Sequence, residues 1–208
     1  PPREIHQWTI DANKWSEGVQ AYLASTSFAD AMVGRVIKAL DQSGRADNTI
    51  IILWSDHGWH LGEKHRWRKT TLWEESTRVP FIVVAPGVTT PGTRSSRTVS
   101  LIDIFPTVAE LVRLQPPSYL EGSSLVPLLR NPDAIWDKPA ISTLGFGNHA
   151  VRTEDFRYIR YSDGSEELYD HKLDSNEWMN LANDSSYIDV IDELSEMIPE
   201  LNTPDIAN

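Results

Sequence analysis

The sequence contains no cysteine, no long apolar run and fewer basic than acidic side chains. The lack of cysteine excludes disulfides, thiolate metal sites and a cysteine nucleophile within these 208 residues. Apolar runs such as Ile50–Trp54 are far shorter than the roughly 20 residues of a membrane-spanning helix, so no membrane span is predicted. With 19 basic and 30 acidic side chains the net charge is −11, which argues against a nucleic-acid partner.

The pattern of apolar residues predicts an α/β fold. Between Trp15 and about Ser43 they recur at helical spacing. The run Asn48–Ser55 is short, β-branched and apolar on both faces, which is typical of a central parallel strand covered by helices. Val79–Ala85 repeats this strand pattern, and we therefore assign residues 1–138 to an α/β core. Shorter predicted elements are an irregular segment 1–14, a strand Thr98–Leu101, a helix from Asp103 to about Leu114 and a helical piece Ser124–Arg130.

The pattern changes beyond Lys138, which predicts a second, smaller subdomain over residues 139–208. Brief alternating segments separated by Gly, Asp and Ser turns indicate a small antiparallel sheet. A helix from about Tyr187 to Ile198 closes this sheet, and residues 202–208 are predicted to fray. The predicted strands are Ala140–Leu144, His149–Arg152, Arg157–Tyr161 and Glu167–Tyr169.

The predicted strand 48–55 ends in the strongest local motif, Ser-Asp-His-Gly-Trp at residues 55–59. Ligands of open α/β sheets bind at this end of the strands. Gly58 permits a turn that lets Asp56 and His57 face one ligand, and a carboxylate beside an imidazole is half of a metal site. The alternative is that Asp56 caps the turn and His57 only forms a nearby hydrogen bond.

The loop that follows, residues 61–69, concentrates positive charge in an acidic chain. Its one acid is Glu63, and its basic residues are Lys64, His65, Arg66, Arg68 and Lys69. Concentrated positive charge near a strand-end carboxylate suits an anionic substrate held beside a metal, and a lysine suits sulfate or phosphate oxygens. The alternative is a solvated basic loop. Trp59, Trp67 and Trp73 either line this pocket or belong to the core.

These motifs resemble the type I sulfatases of the alkaline phosphatase superfamily. Three stretches resemble the second metal-binding segment of that family, namely Ser55–Gly58, Leu61–Glu63 and Trp67–Lys69. The Asp-His-Gly-Trp segment is most similar to iduronate-2-sulfatase-like and choline-sulfatase-like members. Further matching segments follow in the family's order over roughly residues 17–198, namely Tyr22–Asp30, Val33–Arg35, Glu75–Pro80, Pro86–Gly87, Asp103–Thr107, Glu121–Leu125, Pro127–Leu129, Val151–Thr153, Glu167–Asp170 and Asn180–Ala182.

The resemblance implies a fold and a set of roles. The fold is part of an alkaline-phosphatase-like sandwich with a largely parallel central sheet, followed by the small antiparallel sheet and its helix. Asp56 and His57 would bind a divalent cation, usually calcium in the family. Lys69 would act in catalysis by contacting the sulfate and the developing charge on the ester oxygen. Trp59 would lie near the organic part of the substrate, a small-molecule or carbohydrate sulfate ester.

The small sheet offers one more candidate. His149 follows the segment Phe146-Gly-Asn, a loop position from which a side chain could reach over the active site. We list His149 as a candidate substrate-binding residue, and the alternative is a structural histidine of the sheet.

The sequence departs from the family at the nucleophile. The family forms a formylglycine from the first residue of a Cys/Ser-x-Pro-x-Arg motif, and these residues contain no such motif. The N-terminal Asp pair of the family's cation site has no counterpart either. The resemblance therefore implies the C-terminal portion of a sulfatase, with the formylglycine upstream in the missing N-terminal part of the same protein. This chain alone is predicted to be inactive.

Two other functions stay open from the residues alone. A phosphonate or phosphodiester hydrolase of the same superfamily shares the Asp-His-Gly segment and the basic loop. A non-catalytic module is less well supported, because Asp56, His57 and Lys69 are all present. The compartment is not identified, although a periplasmic or extracellular enzyme is consistent with the resemblance.

Overall fold

A computed structural model describes residues 4–200 and 202–203 of the chain. The fold mixes helices and sheets and comprises two compact units. The first contains the described residues up to Lys69 together with Val79–Gly87, and the second contains Thr70–Arg78 and the described residues from Val88 onward. The domain boundary predicted at residue 138 stays a prediction. No helix within the described ranges is both long and apolar enough to cross a membrane.

Two helices begin the first unit. Helix α1 (Glu4–Asp11) lies in a segment predicted to be irregular, which was wrong. It is stabilised by hydrogen bonds four residues apart, such as Gln7 Nε2 to Asp11 Oδ1 at 2.8 Å, which are not visible as apolar periodicity. Helix α2 (Trp15–Gln42) confirms the prediction, and Gly44 follows it with φ +68°.

Strand β1 (Ile51–Trp54) lies within the predicted strand but differs in its pairing. It pairs with β4 (Phe81–Val84) in the antiparallel sense, with Ile51 opposite Val84. Among the described residues β4 is its only partner, so the parallel neighbours expected for it are not found there. An apolar run carries no information on the direction of its partner, because both faces look alike in the sequence. Apolar side chains of both strands are exposed.

A hairpin connects β2 (His60–Leu61) to β3 (Trp67–Arg68) and completes the first unit. Its turn passes under Trp15 of α2. A Cβ atom on Gly62, whose φ is +119°, would lie 2.1 Å from the Trp15 ring. Trp67 is buried and packs edge-on against Trp15, with ring centroids 5.5 Å apart. The hairpin is therefore held against the start of α2.

The second unit is built around a four-stranded antiparallel sheet, as predicted. Its order is β5 (Ala140–Thr143), β6 (His149–Arg152), β7 (Phe156–Arg160) and β8 (Glu166–Asp170). Helix α6 (Ile188–Glu196) packs on one face through Leu194, and Leu72 packs on the other. Both faces of this sheet are thus buried, and the clusters on them form the core of the unit: Val151, Tyr158, Leu168, Leu194 and Ile198 on one side and Leu72, Ala150, Ile159 and Tyr169 on the other.

Three short helices precede the sheet in this unit, at α3 (Glu74–Thr77), α4 (Ile104–Leu111) and α5 (Val126–Arg130). The predicted strand Thr98–Leu101 is wrong, since these residues form no strand and a 3-10 turn begins at Leu101. Ser100 and Asp103 form a reciprocal capping box there, which fixes helical rather than extended backbone. Asn202 and Thr203 have no regular structure, and residues 204–208 of the predicted frayed end lie outside the described residues.

Candidate active site

The turn after β1 brings Asp56 and His57 together. The Ser55 hydroxyl donates to the His57 carbonyl at 2.9 Å, and the His57 backbone N–H donates to Asp56 Oδ1 at 3.1 Å. Adjacent residues of a straight strand would point to opposite faces, so this turn is what aligns them. As a result Asp56 Oδ2 lies 3.5 Å from His57 Nε2.

The contacts of His57 indicate which of its ring nitrogens carries the hydrogen. Nδ1 lies 2.8 Å from the carbonyl oxygen of Gly58, which can only accept, so Nδ1 carries the hydrogen. Nε2 therefore keeps its lone pair and accepts from Lys69 Nζ at 2.7 Å. A histidine fixed in this way by a backbone carbonyl presents Nε2 as a ligand atom.

The donor set of this turn suits a divalent cation in part. The Asp56 side chain is 81% exposed, and one of its oxygens and His57 Nε2 are close enough to reach a single ion. Calcium takes six to eight oxygen ligands, so an ion here needs more ligands than these two residues supply. The imidazole is an unusual partner for a hard cation, and it fits a transition metal as well.

Lys69 reaches His57 because of the hairpin that precedes it. The Gly62 N–H donates to the Arg66 carbonyl at 2.8 Å and closes the turn. Lys64, His65 and Arg68 adopt positive φ angles of 49°, 57° and 71°, which non-glycine residues rarely adopt. Such backbone strain persists where the surrounding structure imposes it, and it is common at functional sites. The lysine is thus presented by a strained, anchored turn.

The three tryptophans singled out in the sequence have different environments. Trp59 is 36% exposed, and its ring is nearly parallel to that of His57, with centroids 6.4 Å apart. Trp67 belongs to the core of the first unit. Trp73, in the second unit, donates from Nε1 to Glu167 Oε2 at 2.6 Å. Of the three, Trp59 is the one beside the Asp56 and His57 turn.

His149 lies on β6 and is buried. Its Nδ1 is 2.9 Å from the Thr143 hydroxyl on the neighbouring strand. Burial lowers the pKa of His149, and the charge of Arg160 lowers it further. This environment does not favour a substrate contact, and the assignment of His149 to substrate binding stays a prediction.

A second cluster of charged side chains, in the second unit, was missed in the sequence. Ligand atoms of Glu74, His171 and Glu177 lie within 4.8 Å of one another, a spacing that could hold a metal ion. Two arginines fill this cluster instead. Arg157 binds Glu74 through Nη2 and Glu177 Oε1 through Nε at 2.5 Å, and Arg152 Nε lies 3.2 Å from Glu74 Oε2.

The same contacts set the charge of this buried cluster. Burial alone raises the pKa of Glu74, but the neighbouring Arg157 and Arg152 outweigh it, so the pKa lies below its usual value. The pKa of Glu177 is lowered in the same way, with His171 and Arg157 offsetting its burial. His171 Nε2 bonds to Glu177 at 2.9 Å and Nδ1 accepts from Arg152 at 3.0 Å. The two guanidinium groups thus balance the charge of the two carboxylates.

One sequence signal could have located this cluster. Arg157 lies on a predicted strand opposite Arg152 of the preceding strand and is 2% exposed. A buried arginine requires a carboxylate partner. The partners, however, come from Glu74 and Glu177, which are distant in sequence and carry no local pattern.

Two family models match the sequence. The model described as Sulfatase matches residues 2–114, and the model described as N-sulphoglucosamine sulphohydrolase, C-terminal, matches residues 62–204. A sulfatase of Formosa agariphila is 42% identical over 196 residues, covering 94% of this chain and 38% of the relative. An N-acetylglucosamine-6-O-sulfatase of Bacteroides thetaiotaomicron is 32% identical, covering 90% of this chain and 36% of the relative. The chain thus spans less than two fifths of the length of these relatives.

Solved structures agree with the sequence matches. One, a protein in complex with its substrate D-glucosamine-2-N,6-O-disulfate, has a TM-score of 0.76 and 32% identity over 85% of this chain and 38% of that one. A phosphonate monoester hydrolase of Agrobacterium radiobacter has a TM-score of 0.73 and 28% identity, covering 81% of this chain and 38% of that one. Both similarities extend over most of the chain.

Proposed function

Because this chain belongs to the sulfatase family, whose solved members share the alkaline-phosphatase-like fold predicted above, we propose that it is the C-terminal part of an enzyme that hydrolyses sulfate esters. Asp56 and His57 are the proposed cation ligands, and Lys69 is the proposed catalytic residue. The observation that carries this assignment is that His57 contacts both of the others, with its Nε2 3.5 Å from Asp56 and 2.7 Å from Lys69.

Each of these groups has a chemical task in sulfate ester hydrolysis. A divalent cation bound by Asp56 and His57, with calcium as the family's usual ion, supplies positive charge to the sulfate oxygens. Lys69 donates hydrogen bonds to the same anion and stabilises charge that develops on the ester oxygen. The Gly58 carbonyl holds the His57 ring at Nδ1. A bound ion would take the Nε2 lone pair that Lys69 contacts in the structure, and Lys69 would then turn to the anion.

We place the nucleophile, a formylglycine, in a part of the protein upstream of these residues. The sequence has no Cys/Ser-x-Pro-x-Arg motif from which it could be formed. Apolar side chains of β1 and β4, such as Trp54 and Ile82, are exposed, and the missing N-terminal part is the proposed cover for them. Residues 1–208 alone are therefore expected to show no turnover.

The proposed substrate class is a sulfated sugar. A relative named N-acetylglucosamine-6-O-sulfatase and a structural neighbour with a disulfated glucosamine substrate support this class. The exposed Trp59 ring beside His57 offers an apolar face to the sugar.

A second candidate function is hydrolysis of phosphonate monoesters. It is favoured by the phosphonate monoester hydrolase of Agrobacterium radiobacter among the structural neighbours. A bound cation and Lys69 would contact the charged oxygens of a phosphonate and of a sulfate in the same way. These residues therefore do not distinguish a phosphonate hydrolase from a sulfatase.

The test compares sulfate and phosphonate monoesters of one alcohol as substrates of the intact protein. We expect turnover of the sulfate ester, and loss of about 10²–10³-fold in kcat for Lys69→Ala, because the lysine stabilises charge in the transition state. Lys38→Ala, at an exposed lysine of α2, is the matched control and should stay within about twofold of wild type. A phosphonate preference supports the second function, and normal turnover by Lys69→Ala contradicts the assignment.

A further inference from the structure

A tyrosine on α2 extends the aromatic surface beside His57. The ring of Tyr22 lies 6.2 Å from that of Trp59, at an interplanar angle of 26°. Trp59 in turn lies 6.4 Å from the His57 ring at 28°. The three rings therefore form a row that leads away from the His57 and Lys69 contact, and all three lie in the first unit.

The three rings are stacked at a tilt and form an aromatic platform. Their centroids lie 6.2 and 6.4 Å apart at interplanar angles of 26° and 28°. Tyr22 is 38% exposed and Trp59 is 36% exposed, so the rings are not enclosed by the described residues. Stacked rings that stay partly exposed present a continuous aromatic surface.

We propose that Tyr22 and Trp59 together bind the sugar ring of the substrate, with Tyr22 as a specificity-determining residue. This inference rests on the proposed sulfatase function, because the sulfate is what places the sugar beside His57 and Lys69. The apolar C–H face of a pyranose packs flat on aromatic rings. The spread of Tyr22 and Trp59 along one row suits a ring-bearing substrate larger than one indole face.

The angles argue against a different ligand for the same rings. A quaternary ammonium group such as that of choline is bound by aromatic cages, in which several ring faces surround the cation. Nearly parallel rings at 26° and 28° form no such enclosure. Among the described residues, the platform therefore favours a sugar over a quaternary ammonium group.

The test measures binding to the intact protein by calorimetry, with N-acetylglucosamine 6-sulfate and inorganic sulfate as the two probes. Tyr22→Ala should weaken binding of the sugar sulfate about tenfold, the upper end for one aromatic contact, and leave inorganic sulfate unchanged. Tyr22→Phe keeps the ring and should stay near wild type. Phe28→Ala, on the same helix and 66% exposed, is the matched control and should change neither affinity.

The outcomes distinguish this inference from the function on which it rests. Equal weakening of both probes by Tyr22→Ala, or no weakening, overturns the platform while the sulfate site stands. Wild-type protein that binds the sugar sulfate no better than inorganic sulfate, or that binds choline sulfate more tightly, also overturns it. Absence of both inorganic sulfate binding and sulfate ester turnover instead overturns the proposed function. Thermal unfolding of each variant identifies any that fails to fold.

Discussion

Two charged clusters of this molecule contain similar groups and have opposite properties. Each includes a histidine held at both ring nitrogens, His57 by the Gly58 carbonyl and Lys69 and His171 by Glu177 and Arg152. The buried cluster balances its own charges, because arginines occupy the carboxylates. The cluster at the end of β1 has an exposed Asp56 carboxylate and an exposed lysine. Ligand spacing alone therefore does not identify a metal site, since Glu74, His171 and Glu177 have that spacing and are already neutralised.

The largest expected effect tests the buried cluster. Arg157→Met removes a guanidinium that binds two carboxylates, and we expect a loss of about 3–5 kcal/mol in the free energy of unfolding. Chemical denaturation of the intact protein measures it. Lys172→Met removes an exposed ion pair with Asp155 and should cost about 0–1 kcal/mol. Similar losses for both variants would contradict the stabilising role of the buried cluster.

The next effect tests the exposed cluster. Asp56→Ala should lower kcat of the intact enzyme about 10²–10³-fold, because a proposed cation ligand is lost, while the free energy of unfolding changes little. Calcium added at about 100 times its dissociation constant should stabilise wild type by about 2.7 kcal/mol, and Asp56→Ala should lose this stabilisation. Asp47→Ala, another exposed aspartate before β1, should keep both properties. Retained calcium stabilisation in Asp56→Ala would exclude Asp56 as a ligand.

The smallest expected effect is a pH dependence of stability. The pKa values of Glu74 and Glu177 lie below the ordinary value of 4.5 in the folded protein. Their contribution to stability is therefore fully present above about pH 4.5 and is lost as the pH falls through the lower folded-state values.

Acid unfolding of variants checks this dependence. Glu177→Gln should be less stable than wild type at neutral pH and should lose less stability between pH 4.5 and lower pH. Glu110→Gln, an exposed glutamate of α4, should follow the wild-type curve. A parallel curve for Glu177→Gln would show that this carboxylate does not titrate as described.

Local patterns predicted the local elements of this molecule and part of its site. Helical periodicity located α2, and alternation located the four strands of the small sheet. The strand-end motif and the basic loop indicated one site, the family resemblance added Lys69 to it, and the structure brings Asp56 and Lys69 to His57. The roles of these residues stay predictions.

The features that were not predicted depend on partners distant in sequence or on hydrogen bonds of single side chains. The antiparallel partner of β1 and the carboxylates around Arg157 belong to the first kind. The capping box at Ser100, which replaces a predicted strand by a turn, belongs to the second. An apolar or β-branched run looks the same in the sequence whether its partner strand is parallel or antiparallel, and whether it forms a strand or a turn.

The close approach of Gly62 to Trp15 links two positions that are far apart in the chain. Any side chain at residue 62 would collide with the indole, so a larger residue there requires a smaller one at residue 15. The two positions should therefore vary together among homologous enzymes, with glycine retained wherever the bulky ring is present. The turn that presents the lysine would then evolve in step with the first turn of a helix, although that helix supplies none of the proposed cation ligands.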